Sequence, residues 1–199
     1  MLIKSDFEVA QPVEKVWEFF NNIPQVAKCL PGTALTDDLG SDKYLGKVAI
    51  RMGPVKLQFS GTAQIKERDG AARRLVVDAS GADESGRGQA SMVLTATLVP
   101  AGRGTRVETE LDLQISGAAA QYGRGMVSDV TAILMRDFGT NAQNRIAAIS
   151  RGLNPDAVAS VAPASGLGIA LRAARLALAR VLARFFLPYD PSRVSGGVA

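Results

Sequence analysis

The chain has no histidine and a single cysteine, Cys29. Lack of histidine removes the commonest metal ligand and the usual general base at neutral pH. Zinc sites and Ser-His or Cys-His catalytic pairs are therefore not expected. A lone cysteine excludes an internal disulfide and suits a reducing cytoplasm. The opening MLIKSDFEVAQPVEKV has no charged stretch followed by an apolar run, so no secretory leader is expected. The body also lacks a basic excess. Residues 152–199 carry Arg172, Arg175, Arg180, Arg184 and Arg193 against Asp156 and Asp190. This leaves 18 basic and 17 acidic residues in the first 151. A nucleic-acid-binding domain would cluster its basic residues on the folded body, so no nucleic-acid partner is expected. The positive charge sits in the tail instead, where it would meet something anionic.

What is present is enough apolar material, 47% of 199 residues, for one domain of about 150 residues and a tail. Leu2 to Val9 alternates and predicts a first strand. Pro12 then opens a short helix that places Val13, Val16, Trp17 and Phe20 on one face. Two prolines and a glycine between Ile23 and Gly32 bracket one or two helical turns. From Lys43 the period becomes two. Five consecutive strands follow, each with one apolar and one polar face, separated by turns at Gly53-Pro54, Arg68-Asp-Gly70, Gly81–Gly88 and Ala101-Gly-Arg-Gly104. Residues 121–151 contain no proline and predict a helix of about 45 Å. Its apolar arc holds Met126, Val127, Val130, Ile133, Leu134, Phe138, Ala142 and Ile149. An antiparallel sheet with one apolar face and a long amphipathic helix satisfy each other when the sheet curves around the helix. This is an α+β, helix-grip arrangement.

Several inward strand positions are small: Gly46, Gly61, Ala63, Ala79, Gly88, Ala90 and Ala96. Larger ones are Tyr44, Val48, Phe59, Met92, Leu94 and Leu111. One reading is an apolar cavity beneath the helix, lined by Trp17, Leu30, Tyr44, Val48, Phe59, Ala63, Met92, Leu94, Met126, Val130, Ile133, Leu134 and Phe138. The other is that the helix fills the space and the small residues let the sheet bend. Asp137, Asn141 and Arg145 project beside the apolar arc. At i, i+4 spacing they would satisfy each other or reach solvent; alternatively one would orient a ligand's polar head. Cys29 is expected to pack as a small hydrophobe and Trp17 to join the core. Asp37-Asp38 and Asp83-Glu84 are expected in loops as solvated charge. Gly123-Arg-Gly125 is expected as a flexible entry to the helix. No catalytic residues and no metal site are expected.

After residue 152 an Ala-, Pro- and Ser-rich stretch, 153–166, predicts a flexible linker, and residues 188–199 a disordered end. Between them, residues 167–187 form an amphipathic pattern. Leu167, Leu171, Leu178, Leu182 and Phe185, with Phe186, supply the apolar side, and Arg172, Arg175, Arg180 and Arg184 lie off it. Four arginines make a bilayer span unfavourable. Lying in the interface of an anionic membrane fits the pattern, and docking on a protein is the alternative.

The stretches Pro12-Val-Glu-Lys-Val-Trp17, Cys29-Leu-Pro-Gly32, Tyr44-Leu-Gly-Lys-Val, Gly53-Pro-Val and Phe59-Ser-Gly61 resemble the family of the carbon monoxide dehydrogenase G subunit. That family lies within the START-like (SRPBCC) superfamily, and the likeness covers about residues 1–150. It implies a START-like ligand-binding domain over residues 1–152 and a hydrophobic C-terminal segment. It also implies a non-catalytic role in membrane recruitment of a CO dehydrogenase-type molybdenum hydroxylase, on the inner face of the cell membrane. No covalent or metal cofactor is expected. A quinone in the cavity would link that enzyme to the respiratory chain. A general lipid-binding protein, a pure membrane adaptor and an enzyme are the rivals; an enzyme would have only Asp137, Arg145 or Tyr44 for acid–base work.

Overall fold

A computed structural model describes residues 1–52 and 55–157. Among these residues, seven strands and three α-helices follow in the order β1 (Leu2–Val9), α1 (Val13–Asn21), α2 (Ile23–Ala27), β2 (Thr33–Asp38), β3 (Lys43–Met52), β4 (Val55–Asp69), β5 (Arg74–Asp83), β6 (Gln89–Ala101), β7 (Gly104–Ile115) and α3 (Gly123–Ser150). One 3₁₀ turn, Gly117–Tyr122, leads into α3, and another, Pro155–Ala157, follows it. The expected turn at Gly53-Pro54, the tail helix 167–187, residues 188–199 and the linker beyond residue 157 lie outside the described residues.

The strands form one antiparallel sheet in the order β1-β7-β6-β5-β4-β3-β2. Two register shifts bend it, between Leu35 and Asp37 in β2 and between Ile65 and Glu67 in β4. A third device is a row of small residues: Gly46 opposes Gly61, Gly61 opposes Gly81, and Gly81 opposes Ala90. A Cβ on Gly61 would lie 2.0 Å from the Ser80 carbonyl oxygen, so only glycine permits this approach of β4 to β5. The curved sheet with the long C-terminal helix against it is the helix-grip fold.

β2 departs from the expectation that its residues belong to a loop. Thr33–Asp38 pairs with β3 at the sheet edge, so Asp37 and Asp38 sit in a strand. Charged residues suit an edge because they discourage pairing with a further chain.

α3 meets β1 where Gly139 faces Phe7; a Cβ there would lie 2.9 Å from the ring. From that crossing toward its C-terminus the helix is well packed. Val9, Val13, Val16, Phe19, Phe20, Cys29, Ala96, Leu98, Val107, Ala142 and Ile146 make one buried cluster. Phe138 stands at its border, edge-on to Phe7 at 5.7 Å and to Phe20 at 6.2 Å. Near the N-terminal end, Val127, Val130 and Ile133 form a second cluster with Leu57. Ile50, Phe59, Leu113, Ile115 and Leu134 pack around that one.

Candidate ligand-binding interior

Two neighbouring sheet rows hold mostly glycine and alanine. One row runs Gly46, Gly61, Gly81, Ala90; the next runs Tyr44, Ala63, Ala79, Met92. Strand alternation turns both rows toward the helix. Yet Val48, Phe59, Ala63, Ala79, Met92 and Leu94 are only half-buried, as are Leu134 and Phe138 on the helix side. These inward-facing side chains are less covered than those of the two buried clusters.

The structure distributes the expected lining residues over the two clusters and the strands beside them. Val48, Phe59, Val130, Ile133 and Leu134 gather at or beside the second cluster. Ala63, Met92 and Leu94 lie on the strands between the clusters, and Tyr44 is buried on β3. Trp17 and Phe138 pack against the first cluster. Leu30 is half-buried in the turn after α2. Met126 does not join them. It is 41% exposed, whereas its neighbour Val127 is buried; Ile149, at the far end, is 47% exposed.

The polar residues of α3 also depart from expectation. Asp137, Asn141 and Arg145 are all buried, but the bonds of Asn141 and Arg145 run outward to other elements. The Asn141 amide donates to the Cys29 carbonyl at 2.9 Å. Arg145 Nη2 donates to Gln25 Oε1 at 2.5 Å and to Asp156 Oδ1 at 2.6 Å. Lys28 donates to the same Asp156 carboxylate at 2.9 Å. Residues 153–157, expected at the start of a flexible linker, thus fold back against α3 and Lys28, the residue after α2. Arg145, then Lys28, keep the Asp156 carboxyl below its ordinary range. Sequence spacing could not reveal these partners, because they come from α2 and from beyond the helix.

A second polar group lies at the turn between β5 and β6. Asp83, expected as solvated charge, is 4% exposed. It accepts from Arg87 Nε at 2.9 Å and from the Gln58 backbone N–H at 3.0 Å. These bonds, Arg87's first, depress its carboxyl well below the usual range. Glu84 takes Lys47 at 2.7 Å, with Ser60 and Gln58 also donating to it. The i, i+4 spacing of Asp83 and Arg87 was the one signal in the sequence.

Burial pushes the Cys29 thiol up to about 12. It stays protonated near neutrality and packs as a small hydrophobe, not a nucleophile. Burial, then Asp38 and Asp42, raise the Tyr44 phenol above its ordinary value. Of the three acid–base candidates, Arg145 is bound to Gln25 and Asp156. Among the described residues no group of three or more Cys, Asp or Glu is placed to hold a metal ion. The opposite sheet face has a groove of about 390 Å³ lined by Lys4, Asp6, Thr95, Thr97, Arg106, Glu108 and Glu110. Its charged walls make it unlike the apolar interior.

The CoxG family, described as the G subunit of carbon monoxide dehydrogenase, matches residues 6–147, most of the chain. The chain belongs to the CoxG family. No curated protein matches it in sequence. A conserved protein of Geobacillus kaustophilus superposes with a TM-score of 0.66 at 23% identity, covering 74% of this chain and 95% of that one. A protein of Thermus thermophilus gives 0.56 at 15% identity, covering 75% and 99%. An aromatase/cyclase of a Streptomyces species gives 0.53 at 11% identity, covering 76% and 96%. These likenesses bear out the helix-grip fold of this CoxG-family chain and carry no activity across.

Proposed function

We propose that this protein is a carrier that takes a membrane-soluble quinone into the apolar interior of its helix grip. As a CoxG-family member it is an accessory protein associated with CO dehydrogenase. The observation that carries the proposal is the pair of separate apolar clusters, with half-buried apolar side chains and glycine and alanine rows between them. A site of this kind binds through apolar burial, with a few polar groups to orient the guest. Solvent extraction of the purified full-length protein followed by mass spectrometry tests it. Recovery of a quinone or another isoprenoid is the expected result. No isoprenoid in the extract, together with no uptake of added quinone, would overturn it.

The tail supplies the second half of the proposal. Among the described residues no helix is long and apolar enough to cross a membrane. Residues 167–187, with apolar Leu167, Leu171, Leu178, Leu182, Phe185 and Phe186 and basic Arg172, Arg175, Arg180 and Arg184, bring the carrier to an anionic surface on the cytoplasmic side. There the quinone exchanges with the bilayer, while the folded body meets a CO dehydrogenase-type molybdenum hydroxylase. Flotation with anionic liposomes tests this part. The full chain is expected to float and a chain lacking residues 167–187 to stay behind. Equal flotation of both would contradict the role of the tail.

A further inference from the structure

Arg51 and Lys56 face each other across β3 and β4, and both are exposed. Like charges directly opposite on a strand pair repel, so this rung costs stability. The nearby acids are engaged elsewhere. Asp83 holds Arg87 at 2.9 Å, and Glu84 holds Lys47 at 2.7 Å. Half-buried Asp129 has an interaction of its own. Among the described residues no salt bridge forms on Arg51, Lys56 or Arg124.

Short bonds gather these cations at one end of the grip. The Lys56 carbonyl accepts from Arg87 Nη2 at 2.7 Å. The Arg87 carbonyl accepts from the Ala118 backbone N–H at 2.6 Å, in the 3₁₀ turn that leads into α3. Arg124 stands exposed in the first turn of α3, which holds no acidic residue. Val127, three residues on, is buried in one cluster with Leu57, the residue after Lys56. Ile50, the residue before Arg51, packs against the same cluster. Between Arg124 and Val127 in the chain lies Met126, 41% exposed. The second apolar cluster is thus bordered by Arg51, Lys56 and Arg124, with an uncovered apolar side chain beside them.

We propose that this end of the folded body rests on an anionic lipid bilayer, with Arg51, Lys56 and Arg124 at the headgroup phosphates and Met126 at the acyl boundary. Exposed cations spread over three elements suit a surface of many mobile phosphates better than a single small anion. The exposed methionine adds apolar burial that a soluble anion does not offer. The tail arginines, Arg172, Arg175, Arg180 and Arg184, seek the same sign of surface. Asp156 ties the chain to Arg145, about 32 Å along α3 from Arg124. Residues 158–166 reach about 30 Å when extended, so one bilayer can receive both the tail and this end. This inference rests on the membrane-binding tail proposed above and names the face of the body that meets the same membrane.

Vesicles of phosphatidylcholine with phosphatidylglycerol, and of phosphatidylcholine alone, test the assignment on the full-length chain. The double variant Arg51→Gln, Lys56→Gln is expected to weaken partitioning onto the anionic vesicles about fivefold or more, and to leave partitioning onto the neutral ones unchanged. The double variant Lys15→Gln, Arg103→Gln removes the same charge from α1 and from the β6–β7 turn, and should change partitioning by less than about twofold. Position is read separately. Cys29 is buried, so an environment-sensitive fluorophore attaches to a cysteine introduced at the surface. On Met126→Cys its emission is expected to shift to the blue on anionic vesicles, and on Arg103→Cys to stay as in water. No weakening by Arg51→Gln, Lys56→Gln, equal weakening by the two double variants, or a label on Met126→Cys that stays in water while the chain is bound would each overturn the assignment and leave the role of the tail standing. A full chain that binds neither kind of vesicle would bring down the tail reading and this inference with it.

Discussion

The two ends of the helix grip are built from the same kinds of residue and behave differently. At the C-terminal end of α3, Ala142 and Ile146 meet α1 and the β6–β7 strands in a continuous cluster, with Phe138 at its border. At the other end Val127, Val130 and Ile133 find only Leu57 as a fully buried strand partner among the described residues. The difference lies in the sheet, not in the helix. Ala96, Leu98 and Val107 fill the closed end, while Gly46, Gly61, Gly81 and Ala90 leave the middle shallow. Removing side chains from a sheet both bends it and makes room.

Substitutions at the two ends should separate stability from binding. The largest expected loss is at the closed end. Phe20→Ala deletes a ring that is 3% exposed and touches Phe19 and Phe138, and should cost about 3–5 kcal/mol in urea unfolding. Apolar-probe affinity of the remaining folded protein should be unchanged. Gly61→Ala comes next. Its Cβ would collide with the Ser80 backbone, at about 1–3 kcal/mol, and narrow the floor of the interior, weakening probe binding. Leu134→Ala, at the open end, should cost about 1–2 kcal/mol, because the side chain is only half-buried. It should nevertheless lower probe affinity. If Leu134→Ala proved as destabilising as Phe20→Ala, the two ends would be equally packed and the contrast would fail.

The smallest effect is a dependence on pH. Folding lowers the carboxyls of Asp83 and Asp156 through Arg87 and Arg145. Between the lowered values and the ordinary one, about pH 4, the unfolded chain binds more protons than the folded chain. The stabilisation is therefore complete above about pH 4 and is lost as pH falls below it. Unfolding midpoints measured from pH 6 to pH 3 should decline, and the decline should be shallower in Asp83→Asn.

How far the sequence reached follows the range of the interactions involved. Strands β3 to β7 and the long helix were legible because their apolar periods are local. β2 was not: Thr33-Ala-Leu-Thr-Asp-Asp38 ends in two carboxylates, which disfavour strands, and its pairing with β3 supplies what its composition lacks. The small inward residues pointed to the interior, but their alignment into facing rows needed the register. Met126 falls on the apolar side of a helical wheel yet is 41% exposed, because a wheel shows direction and not whether anything covers that turn. Asp137, Asn141 and Arg145 share a spacing that suggested mutual pairing. Gln25, Cys29 and Asp156 draw two of them away.

The central claim is that the space between the two clusters receives an apolar ligand. Methyl-labelled full-length protein titrated with a short-chain quinone and followed by NMR tests it most directly. Shift changes concentrated at Val48, Met92, Leu94 and Leu134, with Val16, Leu98 and Val107 unmoved, are the predicted result. No saturable change, or equal changes at both ends of the grip, would contradict the account.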